Sequence, residues 1–588
     1  MVLALAIGLP AFGQDAADAT APEQATELGA IGLSERAQAA VSAKDAGEPV
    51  EASTWMVAAA NPLAVEAGAK VLEAGGTAAD AMVAVQAVLG LVEPQSSGLG
   101  GGAFLVWYDA ATGEVTTLDG RETAPLAATP TLFQDEAGEP LAFFDAVVGG
   151  RSVGTPGTPA LMEEAHRKWG NQPWPSLLED AIGLAEDGFI VSPRLAGSIA
   201  NDAERLSRFA STAEYFLPEG TPLAAGDTKV NPDYAATLRA MADGGALAFY
   251  AGDIATDIVT VVQGAEGNPG VLSEIDLAIY RVKERPAVCV TYRAHDVCGM
   301  GPPSSGALTV GQILGMLEGY DLAALGVDNP ESWRLIGDAS RLAFADRGLY
   351  MADSDYVPVP VEGLVAPDYL TERGALLGSE TALEEVSAGS PAFDHALNWG
   401  ADASIEFPST SHISIVDADG NALSMTTTIE NGFGSRLMVR GFLLNNELTD
   451  FSFRSHDEGA PVANRVAPGK RPRSSMSPTI VLQDGEPVLV VGSPGGSRII
   501  GYVAKTIIAH LDWGMDVQDA VSLPHLVNRF GTYDLEAGTS ATELEEPLAA
   551  LGFEMNVRDL NSGLHAISVG DALLGGADPR REGIAIGE

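Results

Sequence analysis

The chain of 588 residues reads as an α+β protein with β-sheets layered between helices. Three patterns carry that reading: two Asp-Gly hairpins in the second half, a capped helical pair after residue 60, and helical runs from about 157 to 260 and from 307 to 350. In chain order, residues 14 to 54 are rich in Ala, Asp, Glu, Thr and Gln without periodicity, and predict a mobile acidic segment. Structure is expected from about Trp55. Asn61-Pro62 supplies a cap and a first-turn proline for a helix ending at Gly75-Gly76, and Thr77 caps a second helix reaching about Val92. A glycine-rich turn in EPQSSGLGGGAFLVWYD then feeds a strand from Ala103 to Tyr108, followed by a strand from Glu114 to Asp119. From Ile413 apolar and polar residues alternate through an Asp419-Gly420 turn. Beyond a polar stretch from 451 to 473, a second hairpin turns at Asp484-Gly485, and a helix starts near Ser497. No repeat of fixed period occurs.

Composition removes several functions. At 46% hydrophobic the chain can bury a large core, and its net charge of −47 repels phosphate backbones and anionic lipid, so no nucleic-acid partner is expected. The opening MVLALAIGLPAFGQDAADA has a short apolar run and the small-x-small Ala11-Phe12-Gly13, which predicts a signal peptide over 1 to 13 and export to the periplasm or beyond. No other stretch reaches the roughly 18 apolar residues of a membrane span. Cys289 and Cys298 lie opposite each other if Arg293-Ala294 is a hairpin turn; two readings stand, a cross-strand disulfide, which export favours, and two buried thiols.

Familiar motifs fail. GLGGGA has the wrong glycine spacing for a dinucleotide loop and leads into a strand instead of a helix, and GSPGGSR lacks the lysine of a phosphate loop. The eight histidines show no metal spacing, and no G-x-S-x-G elbow sits between strand and helix. Neither metal nor organic cofactor is predicted.

What remains is a set of polar islands beside confident strands: STSH at 409–412, TTTIEN at 426–431, NNELTD at 445–450, RSSMSP at 473–478 and GSPGGS at 492–497. Any one of them can be a plain turn. A threonine heading a core strand has a further option, because cutting the chain before it yields a hydroxyl nucleophile and an adjacent α-amine base. That amine's ordinary pKa, about 7.7 to 8.0, suits the task. His412 shares a strand face with Thr410 and reads as a packed core histidine.

In this order, from about Met56 to the C-terminus, the islands resemble the γ-glutamyltransferase (γ-glutamyltranspeptidase, glutathione hydrolase) family of N-terminal nucleophile hydrolases. EAGGTAADAMVAVQAVLGLVEPQSSGLGGGAF, DGRETAP, VGTPGTPAL, MGPPSSGALTVGQIL, TSHISIVDADGNALSMTTT, FLLNNELTDFS, RPRSSMSPTIV and GSPGGSRII carry the likeness. It implies a four-layer αββα sandwich and self-cleavage between Ser409 and Thr410, giving a large subunit over 55–409 and a small catalytic one over 410–588 that stay together as a heterodimer. It also implies a γ-glutamyl-threonine acyl-enzyme on Thr410, assisted by Thr428, with an oxyanion hole at Gly495 and Gly496. Arg121, Ser474 and Ser475 would hold the donor's α-carboxylate, and Glu447 and Asp450 its ammonium. Glu430 departs from the asparagine of well-known members, adding a carboxylate near that ammonium, and 451 to 473 would form a lid. The substrates implied are glutathione and other small γ-glutamyl compounds, with water or an amino-acid or dipeptide amine as acceptor. Two rivals are kept: a same-fold acylase for a glutaryl or cephalosporin amide, and an uncleaved, non-catalytic relative.

Overall fold

The computed structural model describes residues 32–395, 398–402, 404 and 406–588. Two antiparallel sheets of seven strands form its centre. The first runs Ile584–Gly587, Met56–Ala59, Ser411–Val416, Ala422–Thr428, Gly102–Asp109, Glu114–Gly120, Lys283–Pro286. The second runs Val50–Ala52, Leu573–Ala577, His565–Val569, Glu486–Gly492, Thr479–Gln483, His295–Gly299, Val288–Tyr292.

Strand alternation sorts the side chains into layers. In the first sheet Val57, Ala59, Leu105, Ile413, Ile415, Leu423 and Met425 pack against helices that include Pro62–Glu73 and Ala78–Val92. Their neighbours Met56, Ala58, Val106, Val416 and Ala422 turn the other way, onto Ile480, Leu482, Val490 and Ile567 of the second sheet. That sheet's outer face, with Val297, Val481, Leu489 and Val491, takes up Gly306–Leu317, Pro330–Tyr350 and Ile499–Leu511. The order is helix, sheet, sheet, helix, the expected αββα sandwich. Ala78–Val92 is buried on every side, which is why its sequence is apolar all round instead of striped.

Local signals hold where they were strongest. Asn61 Oδ1 accepts the Leu63 amide at 3.0 Å, and Thr77 and Asp80 form a reciprocal capping box. Asp484 and Gly485 both take positive φ, 53° and 89°, which a two-residue hairpin loop between Gln483 and Glu486 requires. Cys289 pairs with Cys298 across adjacent strands, and the two are disulfide-bonded.

Two expectations need correction. The segment read as mobile over 14 to 54 is structured from Ser34, which caps the helix Glu35–Asp45, and Val50–Ala52 is an edge strand of the second sheet. That helix buries little besides Ala37 and Ala40; it is held by Lys44, whose Nζ donates to the carbonyls of Arg581 and Gly583 at 2.8 Å. The proposed signal peptide lies outside the described residues. The polar stretch 451 to 473 is no free lid: it carries a small ladder between His456–Asp457 and Ala460–Pro461, and its end is buried where Arg471 donates to the Asp119 carbonyl at 2.8 Å. Among the described residues, no helix is long and apolar enough to cross a membrane, and no group of His, Cys, Asp or Glu is placed to hold a metal ion.

Candidate active site

Ser411–Val416 and Ala422–Thr428 pair in a register that sets Ser411 opposite Thr427 and His412 opposite Thr426. Carried back one residue, the same register sets Thr410 opposite Thr428, so both hydroxyls leave the same face as neighbours. Thr410 Oγ1 donates to Thr428 Oγ1 at 3.2 Å, and the latter also accepts the Glu430 amide at 2.9 Å. Further along that face, His412 is fully buried, with Nδ1 2.9 Å from Thr426 Oγ1 and Nε2 3.0 Å from Ser414 Oγ. Burial, then the nearby His565, keeps its pKa well below the usual histidine range, so it is a neutral core residue as expected. Thr410 has a φ of 151°, a region that β-branched residues avoid at a cost of about 1–3 kcal/mol, and Arg581 Nη1 holds its carbonyl at 3.1 Å.

The cavity around Thr410 is lined by Thr428, Glu430, Arg121, Glu447, Asp450, Ser474, Ser475, Gly496 and Ser409, all anticipated, together with Glu406, Phe407, Met476 and Ile499, which were not. Gly495 stands just behind, where a Cβ would meet the Tyr502 ring at 2.7 Å. Gly496, at φ 57°, opens a short turn leading into the helix Ile499–Leu511, so its lack of a side chain and the helix start both favour an anion at this edge. No residue of 451 to 473 lines the cavity.

Arg121 follows the strand Glu114–Gly120 and is entirely buried. Its guanidinium donates to Glu447, to Asp450 Oδ2 at 2.5 Å, and to the carbonyls of Pro472 at 3.2 Å and Arg473 at 2.7 Å. Glu447 and Asp450 are the two ends of one 3₁₀ turn, where side chains three apart lie over each other; that geometry delivers both carboxylates to one cation. Although burial opposes its charge, Glu447 and then Asp450 hold the Arg121 pKa above its usual value. Glu430 accepts from Asn446 Nδ2, and Glu122 is buried beside the cluster.

Four carboxyl groups are thus buried close together, Glu447, Asp450 and Glu122 around the Arg121 guanidinium and Glu430 beside Asp450, and burial raises all four. Glu122 is pushed up to about 8, while Glu430, Glu447 and Asp450 lie well above the ordinary carboxylate range. A folded-state pKa above the unfolded value, about 4.3 for Glu, contributes stability that is complete below that value and is lost as pH rises through the folded one. The melting temperature of the ligand-free protein should therefore fall as pH rises from about 5 to about 8, and Glu122→Gln should flatten that fall. Equal slopes in the two proteins would contradict the assignment.

Several residues were illegible in the sequence. Glu406 and Phe407 precede the strand with no periodic signal, and Arg581 reaches Thr410 from near the far end of the chain. Glu93 and Gln95, in the stretch read as a glycine-rich turn, take hydrogen bonds from Ser411 Oγ at 3.3 Å and, through a carbonyl, from Ser409 Oγ at 2.9 Å.

Comparison with known proteins agrees with this assembly. The profile of the family described as Gamma-glutamyltranspeptidase matches residues 64–588. The chain is 39% identical to the glutathione hydrolase proenzyme of Bacillus subtilis (strain 168), covering 90% of this chain and 91% of that protein. It is 35% identical to the acylase ACY 1 proenzyme of Pseudomonas sp. (strain SE83), covering 83% and 85%. In structure it resembles the cephalosporin acylase of Bacillus halodurans, with a TM-score of 0.81 at 26% identity over 92% of this chain and 97% of that one. With a family profile spanning nearly the whole chain and the motif residues gathered at one cavity, the protein belongs to the Gamma-glutamyltranspeptidase family of hydrolases and acyltransferases with the N-terminal nucleophile fold.

Proposed function

We propose that the protein cuts itself before Thr410 and then hydrolyses or transfers γ-glutamyl groups from glutathione-like amides. The carrying observation is the Thr410 hydroxyl, hydrogen-bonded to Thr428 in a cavity whose wall pairs Arg121 with Glu447 and Asp450.

In the first step Thr410 Oγ attacks the Ser409 carbonyl carbon, the peptide C–N bond breaks, and an ester with a free Thr410 amine results. Water cleaves the ester, leaving Ser409 with a carboxylate. The strained φ at Thr410 favours this step, because cutting relieves it. The pieces stay together: the strand headed by Thr410 lies between Met56–Ala59 of the upstream piece and Ala422–Thr428 of its own.

In turnover the freed α-amine takes the hydroxyl proton as Thr410 Oγ attacks the donor's γ-carbonyl, and returns it to the leaving amine. Water or an acceptor amine then removes the glutamyl group. Backbone amides at Gly495 and Gly496 suit the oxyanion. A zwitterionic glutamyl end fits the Arg121 cluster by like-for-like exchange: its ammonium takes the carboxylates of Glu447 and Asp450, with Glu430 alongside, and its carboxylate takes Arg121, Ser474 and Ser475. Glu430 adds one more anion for the ammonium.

The likeness to two acylases favours a second reading, cleavage of a glutaryl-type amide. Such an acyl group has no ammonium to neutralise the buried carboxylates, which weighs against it. Turnover of γ-glutamyl and glutaryl anilides separates the two: we expect kcat/KM at least about 100-fold higher for the γ-glutamyl compound, as for sites whose polar groups go unpaired with the wrong substrate. A preference for the glutaryl anilide would transfer the assignment to the acylase reading.

A further inference from the structure

The Ser409–Thr410 bond is gripped on both sides. Downstream, the Thr410 hydroxyl bonds Thr428 at 3.2 Å and Arg581 Nη1 holds the Thr410 carbonyl at 3.1 Å. Upstream, Ser409 Oγ donates to the Gln95 carbonyl at 2.9 Å, the Phe407 ring packs on Phe143 with centroids 4.3 Å apart, and the Glu406 carbonyl accepts the Ser497 amide at 3.1 Å. The Glu406 side chain adds more. Its Oε2 accepts from Arg347 Nη2 at 2.6 Å and from the Ser475 hydroxyl, and its Oε1 accepts from Arg473 Nε at 3.3 Å and again from Arg347. Charge-assisted hydrogen bonds are roughly twice as strong as neutral ones, so this carboxylate is the firmest upstream anchor.

Arg347 stands on the helix Pro330–Tyr350 and is 2% exposed. Among the described residues, Glu406 is the one carboxylate within ion-pair distance of it, whereas Arg473 also has Asp402. The same guanidinium donates from Nη2 to Ser475 Oγ at 2.8 Å and from Nε to Ser305 Oγ at 2.9 Å. Ser305 in turn holds the Ser474 carbonyl through its amide at 2.8 Å and its hydroxyl at 2.7 Å. Arg347 therefore ties the chain upstream of the cut to Ser474 and Ser475 downstream of it. Although burial opposes its charge, Arg347 and then Arg473 hold the Glu406 pKa below the ordinary carboxylate range. Between Glu406 and Thr410 lie only Phe407, Pro408 and Ser409, and the proline ring fixes its own φ, which leaves the link little slack.

We propose that Arg347 is a positioning residue for self-cleavage: by holding the Glu406 carboxylate it fixes the upstream chain so that the Ser409 carbonyl meets the Thr410 hydroxyl. This role rests on self-cleavage before Thr410 and is independent of which amide the cut enzyme turns over. Misplacing a reacting group by about 1 Å can cost about 10²-fold in rate, so a loosened anchor should show in the speed of cutting.

The test times the appearance of the fragment beginning at Thr410 in full-length chain synthesised in vitro. Glu406→Gln and Arg347→Met should each slow that first-order appearance at least about tenfold, with Arg347→Lys in between because it keeps the charge without the planar fork. Residues that act as one unit are not additive, so the double variant should be slower than the slower single one by no more than about twofold. Asp338→Asn is the control, since Asp338 lies on the same helix, is fully buried, and has Arg334, Arg341 and the Leu383 amide as partners. It should cut within about threefold of the unsubstituted rate, as expected of an independent site. Should Arg347→Met fail to fold, the cycle is built with Arg347→Lys. Unchanged cutting in folded Glu406→Gln and Arg347 variants, a double variant slowed by the product of the single effects, or equal slowing in Asp338→Asn would each overturn the role. An unsubstituted chain that is never cut would instead remove self-cleavage itself, and this role with it.

Discussion

Thr410→Ala is expected to yield one uncut chain on a denaturing gel, where the unsubstituted protein gives two, and to lose γ-glutamyl amide turnover by at least about 10⁴-fold, the scale seen on removing a catalytic nucleophile. The fold should survive: Thr410 heads a strand whose residues Ser411 to Val416 are all paired with Ala422–Thr428, and alanine removes only a buried hydroxyl and methyl. Thr410→Ser keeps the hydroxyl and should still cut, more slowly, since it lacks the branch that restricts χ1 and so holds the hydroxyl in place. Two bands from Thr410→Ala would place the cut under the control of another residue.

The second large effect is at Asp450. In Asp450→Asn, kcat/KM for γ-glutamyl anilide should drop by about 10²- to 10⁴-fold, the equivalent of the roughly 3–5 kcal/mol lost when one partner of a buried ion pair is removed. Asparagine preserves the shape and can still accept the Arg121 hydrogen bond, now 2.5 Å long, so the loss reports charge more than packing. Glutaryl anilide has no ammonium for Asp450 to meet, and its turnover should fall far less. Equal losses on both compounds would mean that Asp450 serves Arg121 and the fold, not the substrate's amine.

Much of this was legible in the sequence because it is written in short-range chemistry. Asp484-Gly485 sits where a two-residue turn needs positive φ, Asn61 and Thr77 cap the helices they precede, and the alternation after Ile413 fixes which residues share a sheet face. Sheets layered between helices follow from that alternation and the helical runs around it; the count of four layers came from the family resemblance. The helix Glu35–Asp45 stayed hidden because it has no apolar stripe; its anchor is Lys44, whose carbonyl partners lie more than 500 residues away along the chain. The arginines that donate to Glu406 were hidden for the same reason. Arg347 comes from the helix Pro330–Tyr350 and Arg473 from a stretch more than 60 residues beyond Glu406, and nothing periodic marks a residue whose partner is a distant charge. The polar stretch 451 to 473 looked like a free loop, since sequence cannot tell a solvated arginine from Arg471, which is buried against Asp119.

Whether Thr410 must be released before it accepts an acyl group is decided by mass spectrometry of active protein quenched during turnover of a γ-glutamyl amide. The account predicts a downstream chain whose first residue is Thr410, carrying one glutamyl group on that residue. Active protein with the Ser409–Thr410 bond intact, or with the glutamyl group on any other side chain, would contradict it.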